Sequence, residues 1–218
     1  MDLQNFEKEF IKKNLDINES YGDIFCFIDF ANVNNWFEKD NQWDRKAISS
    51  NQKININLEK LKNFVDLFSK KTFIYYGEDS GNSNSLDFTY AIRKIFGKKV
   101  VRTKDLQKIK HYFEVGESIS GEHIQIDKKG SPYLEIRKCN FDVEISVDAV
   151  KMMKHYDTFC IFSGDADFVY LNKFLRKENK EVIIFKGGYI TKELKESADL
   201  IINAQEIKEK ITKLKTKT

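Results

Sequence analysis

No stretch of this sequence approaches the ~18 consecutive apolar residues of a membrane span. The N-terminal segment carries Glu7, Lys8, Glu9, Lys12 and Lys13 and so lacks the apolar core of a secretory leader. Proline occurs once and glycine ten times, which excludes collagen-like and proline-rich chains. Cysteine is nearly as scarce. Cys26, Cys139 and Cys160 show no Cys-x-x-Cys spacing and are odd in number, which argues against a disulfide framework. A soluble, cytoplasmic protein with reduced thiols and no membrane partner is therefore expected. Histidine is limited to His111, His123 and His155, without metal-ligand spacing. Ser163 lacks a Gly-x-Ser-x-Gly elbow and a placed base, so serine-hydrolase chemistry is also set aside.

What is present is enough for a filled core: 218 residues, 41% hydrophobic and 33% charged, the balance of a folding chain rather than a disordered one. The net charge of +3 is unevenly placed, because Lys208 to Thr218 hold five lysines against one glutamate. A near-neutral body with a basic end is compatible with a nucleic-acid partner, although so short a tail is ordinarily just solvated. The reading is one domain over 22–207, preceded by an N-terminal extension over 1–21 and followed by a basic tail over 208–218.

Periodicity divides that body into alternating elements. Leu3, Phe6, Phe10 and Ile11 predict an amphipathic helix over 2–14. Apolar runs predict buried strands over 23–29, 72–76, 99–103, 158–162 and 181–185. Helical stripes fall between them, from Leu58 to Phe68, to about Phe96, over 141–153 and 167–178, with a final helix over 191–197. The polar segment 38–56 reads as a loop. Such alternation predicts an α/β fold with a central, mainly parallel sheet. Residues 104–137 break the rhythm; Glu122 to Ile126 and Tyr133 to Arg137 alternate around Asp127-Lys128-Lys129-Gly130 and predict an inserted β-hairpin. The N-terminal helix and this insertion are the candidate surfaces for a homo-oligomer.

Chemistry collects where strands end. Asp29 closes the first apolar run, Asp165 and Asp167 follow the strand at 158–162, and Asp142 opens the helix after Lys138-Cys139-Asn140. In open α/β sheets ligands bind at the carboxyl ends of the strands. A sparse cluster of carboxylates suits a hard cation, Mg2+ or Mn2+. Asp148 lies about 120° from Asp142 on a helix, and Glu144 shares the face of Asp148, so both are expected at the periphery. Capping alone accounts for an aspartate at a helix start, and Asp142 and Asp167 each fit that plainer role. It does not account for Asp29 ending an apolar strand as well. Asn32, Ser163, Lys138 and Lys186 are the candidate substrate-binding residues; each also fits a turn or a solvated surface.

These residues resemble the NYN family, PIN-like nuclease domains of the kind found in bacterial LabA-like proteins. The resemblance spans about 22–206. It rests on Phe27-Ile28-Asp29-Phe30-Ala31-Asn32, on Lys138-Cys139-Asn140-Phe141-Asp142-Val143 with Val147-Asp148-Ala149, and on Ser163-Gly164-Asp165-Ala166-Asp167-Phe168, in the family's order. Lys186-Gly187-Gly188 through Ala198-Asp199 is similar to its closing turn and helix. Asn140-Phe141 and Ala166 depart from the pattern without removing a carboxylate. The resemblance implies a PIN-like three-layer sandwich and cleavage of RNA, single-stranded or flexible, with Mg2+ or Mn2+ held by Asp29, Asp142, Asp165 and Asp167. Asn32 and Ser163 would orient substrate or water.

Two other readings compete. A haloacid-dehalogenase-type phosphatase places Asp-x-Asp at the end of its first strand, whereas Asp29-Phe30-Ala31 stands there in this chain. A binding or regulatory module of the same fold would cut nothing; Trp36, Trp43, Tyr112 and Tyr133 are the aromatics that could stack on its unpaired bases.

Overall fold

The computed structural model describes residues 3–38, 40, 52–113 and 124–216. In chain order the helices and strands are α1 (Leu3–Asn14), β1 (Ile24–Asp29), α2 (Phe30–Asn34), β2 (Gln52–Ile56), α3 (Leu58–Asp66), β3 (Lys71–Glu78), α4 (Ser83–Phe96) and β4 (Val101–Asp105). Then come β5 (Gln107–Tyr112), β6 (Ile124–Ile126), β7 (Pro132–Lys138), α5 (Asp142–Met152), β8 (Thr158–Phe162) and α6 (Val169–Lys177). The chain closes with β9 (Glu181–Lys186), α7 (Lys192–Glu196), β10 (Leu200–Asn203), α8 (Ala204–Ile211) and β11 (Thr212–Thr216).

Strands that are apolar on both faces must be covered on both faces. β1, β8 and β9 are of this kind, and with three further strands they form one sheet in the order β10-β9-β8-β1-β3-β4, every neighbour parallel. Side chains alternate along each strand, so each strand feeds two cores. Ile24, Cys26 and Ile28 of β1 join Phe162, Phe185 and the apolar stripes of α1, α3, α4 and α8 on one side. Phe25 and Phe27 join Phe159, Ile161 and Ile184 under α5, α6 and α7 on the other. The result is a three-layer α/β sandwich, as expected.

The order of the strands positions the site. From β1 the chain steps outward to β3 and β4, then returns across the sheet to lay β8 on the other side of β1. The direction of winding therefore reverses between β1 and β8, which makes the crevice at their carboxyl ends the topological switch point of the sheet. Ile28 pairs with Phe162 in register, so Asp29 and Ser163 leave adjacent strands at the same level.

Three features depart from the sequence expectation. The expected hairpin is there as β6 and β7, but β5 adds a third strand and makes the insertion an antiparallel sheet, β5-β7-β6. All six residues of β5 are exposed, so no burial pattern marks that strand in the sequence. Regular structure also continues beyond 191–197 through β10, α8 and β11. Residues 208–216, read as part of a basic tail, complete α8 and pair antiparallel with β2, where a loop was expected. Trp43 and His123 lie outside the described residues, as does the segment 41–51. Among the described residues no helix is long and apolar enough to cross a membrane.

The insertion is tied down where β3 ends. Asp79, 5% exposed, meets Lys108 of β5 at 3.3 Å and Arg137 of β7 at 3.1 Å. Gly77 lies beneath the exit from β7: a Cβ there would stand 2.6 Å from Cys139 Cβ and 2.8 Å from Leu106 Cδ2. Gly77→Ala is accordingly expected to cost about 1–3 kcal/mol through overpacking. Thermal unfolding measures it; an unchanged melting temperature would mean that the Cys139 segment yields freely.

Candidate metal centre

Asp29 is both the last residue of β1 and the N-cap of α2, where its Oδ1 accepts the Asn32 N–H at 3.4 Å. Its Oδ2 accepts the hydroxyl of Ser163 at 3.2 Å. Ser163 Oγ in turn accepts the N–H of Asp165 at 3.3 Å. Asp165 caps the 3₁₀ turn 166–168, taking the Asp167 N–H at 3.0 Å. One hydrogen-bonded line thus runs from the end of β1 into the loop after β8. Asp142 arrives from the other direction on the first turn of α5, with its N–H held by Asn140 Oδ1 at 2.8 Å.

These connections bring Asp142, Asp165 and Asp167 together, each offering one carboxylate oxygen, all within 4.8 Å of one another. Oxygens on opposite sides of a Mg2+ ion lie about 4.2 Å apart, so small side-chain rotations suffice to close the group on a cation. The donors are all oxygen, without imidazole or thiolate, which fits a hard divalent ion. Asp29 is not part of that group of three, and each of its oxygens already accepts a hydrogen bond.

The NYN domain profile matches residues 8–205, most of the chain and all of the acidic residues above. The chain belongs to the NYN domain family. A protein of unknown function from Vibrio parahaemolyticus shares the fold, with a TM-score of 0.56 at 18% identity over 90% of this chain and 99% of that one. No curated protein matches. The NYN assignment and the three-layer architecture together make this a PIN-like sandwich.

Electrostatics of the NYN site follow first from burial and then from the crowding of its carboxylates. Burial raises the Asp29 carboxyl to about 6; the Asn32 N–H and Ser163 hydroxyl pull against it, while Asp142 and Asp165 add repulsion. Asp142 is also raised, first by burial, then by Asp165 and Asp167, with Asn140 opposing. Negative charge is thus held at a cost that a cation would relieve.

The remaining sequence candidates fall into distinct places. Ser163 is 1% exposed and its hydroxyl is engaged between Asp29 and Asp165. Asn32 Oδ1 accepts both Trp36 Nε1–H at 2.8 Å and the Gly164 N–H at 3.2 Å, which makes it a clamp on the acidic loop. Lys186 donates to the Gly188 carbonyl at 2.7 Å, and Lys138 is exposed at the end of β7. Glu144 pairs with Lys104 at 2.6 Å. Asp148 accepts from Arg102 at 2.9 Å and from the Tyr75 hydroxyl at 3.0 Å. Both acids therefore fasten α5 to β3 and β4 and stay out of the group of three.

Sequence reasoning passed over two contributors. Trp36, expected only as an aromatic that could stack on bases, is 9% exposed and stacks on Phe162 at 6.0 Å. Its four-residue spacing from Asn32 was the available signal. It also crowds Gly187, where a Cβ would lie 2.6 Å from Trp36 Cδ1. Asn140, two residues before Asp142, was legible as a local side-chain cap. Of the other aromatics, Tyr133 is buried against Tyr112 within the insertion sheet.

Proposed function

We propose that this NYN protein is a divalent-cation-dependent ribonuclease that cuts phosphodiester bonds in single-stranded or flexible RNA. The observation that carries the reading is the convergence of Asp142, Asp165 and Asp167 from two separate segments within 4.8 Å at the sheet's switch point. Asp142, Asp165 and Asp167 would hold Mg2+ or Mn2+, which supplies an activated water and a counter-charge for the phosphate oxygens. Asp29 braces the loop through Ser163, and Asn32 and Trp36 hold it through Gly164. Lys138 and Lys186 supply positive charge on either side for the RNA backbone. RNA as substrate rests on the family's nuclease character.

The test is cleavage of labelled single-stranded RNA by purified protein with Mn2+, Mg2+ or EDTA. Cutting that needs the cation supports the reading. Cation binding without cutting across a range of RNAs would favour the non-catalytic module instead.

Trp36→Phe gives a finer prediction. The ring remains to stack on Phe162, but the N–H to Asn32 is lost, worth about 1 kcal/mol of stability. Because residues that orient metal ligands typically matter 10–100-fold, cleavage is expected to fall by roughly that factor. Wild-type rates in Trp36→Phe would show that Asn32 holds the loop unaided.

A further inference from the structure

Tyr170 and Tyr189 are the two most exposed large side chains with apolar bodies on this protein among the described residues, at 84% and 85%. An isolated exposed aromatic needs no explanation, but these two flank the same loop. Tyr170 follows Asp167 by three residues, through the 3₁₀ turn into the first turn of α6, which places their Cβ atoms about 5–6 Å apart on one side. Tyr189 sits in the turn after β9. That turn packs directly on the acidic loop: a Cβ on Gly164 would lie 3.1 Å from Ile190 Cγ2 and 3.7 Å from the Gly187 carbonyl. The two segments that flank the loop of Asp165 and Asp167 therefore each carry one uncovered ring.

Charge around the rings is of the complementary sign. Lys195 Nζ stands 5.5 Å from the centre of the Tyr189 ring. Lys173 and Lys177 share the face of Tyr170 at helical spacing, and neither makes an ion pair among the described residues. A tyrosine at the site followed by a lysine stripe suits a chain that carries a flat base and a phosphate in each unit.

We propose that Tyr170 and Tyr189 form a stacking clamp for the unpaired bases of RNA that flank the bond to be cut, with Lys173, Lys177 and Lys195 tracking the backbone. The clamp rests on the ribonuclease reading for its substrate and adds a reason for single strands: bases inside a duplex have no free face to stack. Binding by the rings is separable from cation binding by the acids.

The experiment measures binding of a short labelled single-stranded RNA, and of its blunt duplex, to full-length Asp165→Asn protein by fluorescence anisotropy. Tyr170→Ala, Tyr189→Ala, the two Phe variants and Tyr90→Ala are each made in that background, and wild-type cleavage is assayed in parallel. Tyr90, exposed on α4 in the opposite helical layer, is the control. Each Ala change at 170 or 189 is expected to weaken single-strand binding about tenfold. The Phe variants and Tyr90→Ala should bind like the parent, with melting temperatures unchanged. Equal binding by the Ala variants overturns the clamp and leaves a cleaving enzyme intact as a nuclease. Duplex binding as tight as single-strand binding, with the same tyrosine dependence, also overturns it. Tyrosine-dependent binding without wild-type cleavage upholds the clamp and removes the nuclease reading. Neither binding nor cleavage overturns both.

Discussion

Asp165→Asn is expected to reduce Mn2+-dependent RNA cleavage by more than about a hundredfold, because residues that merely orient metal ligands already matter 10–100-fold and this change removes a ligand charge. The fold should not suffer. The Asp165 side chain also caps the turn that follows by accepting the Asp167 N–H, and an asparagine keeps an oxygen in that place. Removing its charge also relieves the repulsion that Asp165 exerts on Asp29 and Asp142. The melting temperature in EDTA should therefore hold or rise. With cation the order reverses: at a hundred times Kd a bound ion adds about 2.7 kcal/mol to the wild type, and the variant should lose most of that gain. Cleavage assays and melting curves with Mn2+ and with EDTA give all three readouts. Undiminished cleavage, or an undiminished Mn2+ shift, would remove Asp165 from the metal site.

The contrast between what the sequence disclosed and what it hid has a physical basis. β1 and β8 were legible because central parallel strands are apolar on both faces, and the carboxylates that end such runs stand out against them. Their adjacency became meaningful only with the strand order, since Asp29 and Asp165 lie far apart in the chain and periodicity says nothing about neighbours. β5 was hidden for the opposite reason: Gln107-Lys108-Ile109-Lys110-His111-Tyr112 buries none of its residues. β2 and β11 pair at long range, with too few apolar residues to announce either strand. α8 was legible in principle. Asn203 and Glu206 form a capping box, and Ala204, Ile207 and Ile211 follow at helical spacing. The five lysines of 208–218, two of them inside the helix, overlay that pattern with charge. For the site, type and position of the acids could be read, but the separation of Asp142, Asp165 and Asp167 from Asp29, and the engagement of Ser163, depend on hydrogen bonds between segments.

That separation gives Asp29 a testable signature. Its carboxyl lies near 6 in the folded protein against 3.8 as an ordinary value. Below both values it is protonated folded and unfolded, and it contributes nothing to the pH dependence. Between them the unfolded chain ionises while the folded one keeps its proton, so stability falls as pH rises through that window; above about 6 the loss is complete. The loss is on the order of 2–3 kcal/mol. Asp142, also raised, acts in the same sense. Asp29→Asn should flatten most of the slope and melt higher than wild type in EDTA at pH 8, with the two proteins close together at pH 4. The gain is tempered because the amide nitrogen replaces one of the oxygens that accept from Asn32 and Ser163. Cleavage should nonetheless fall sharply, since a charge that acts on two of the carboxylates proposed to hold the cation is gone. A variant that is more stable yet inactive is what a functional carboxylate predicts, whereas a structural cap would lose stability when altered. Identical pH profiles of melting for the two proteins would show that Asp29 is an ordinary cap, leaving the cation to Asp142, Asp165 and Asp167 alone.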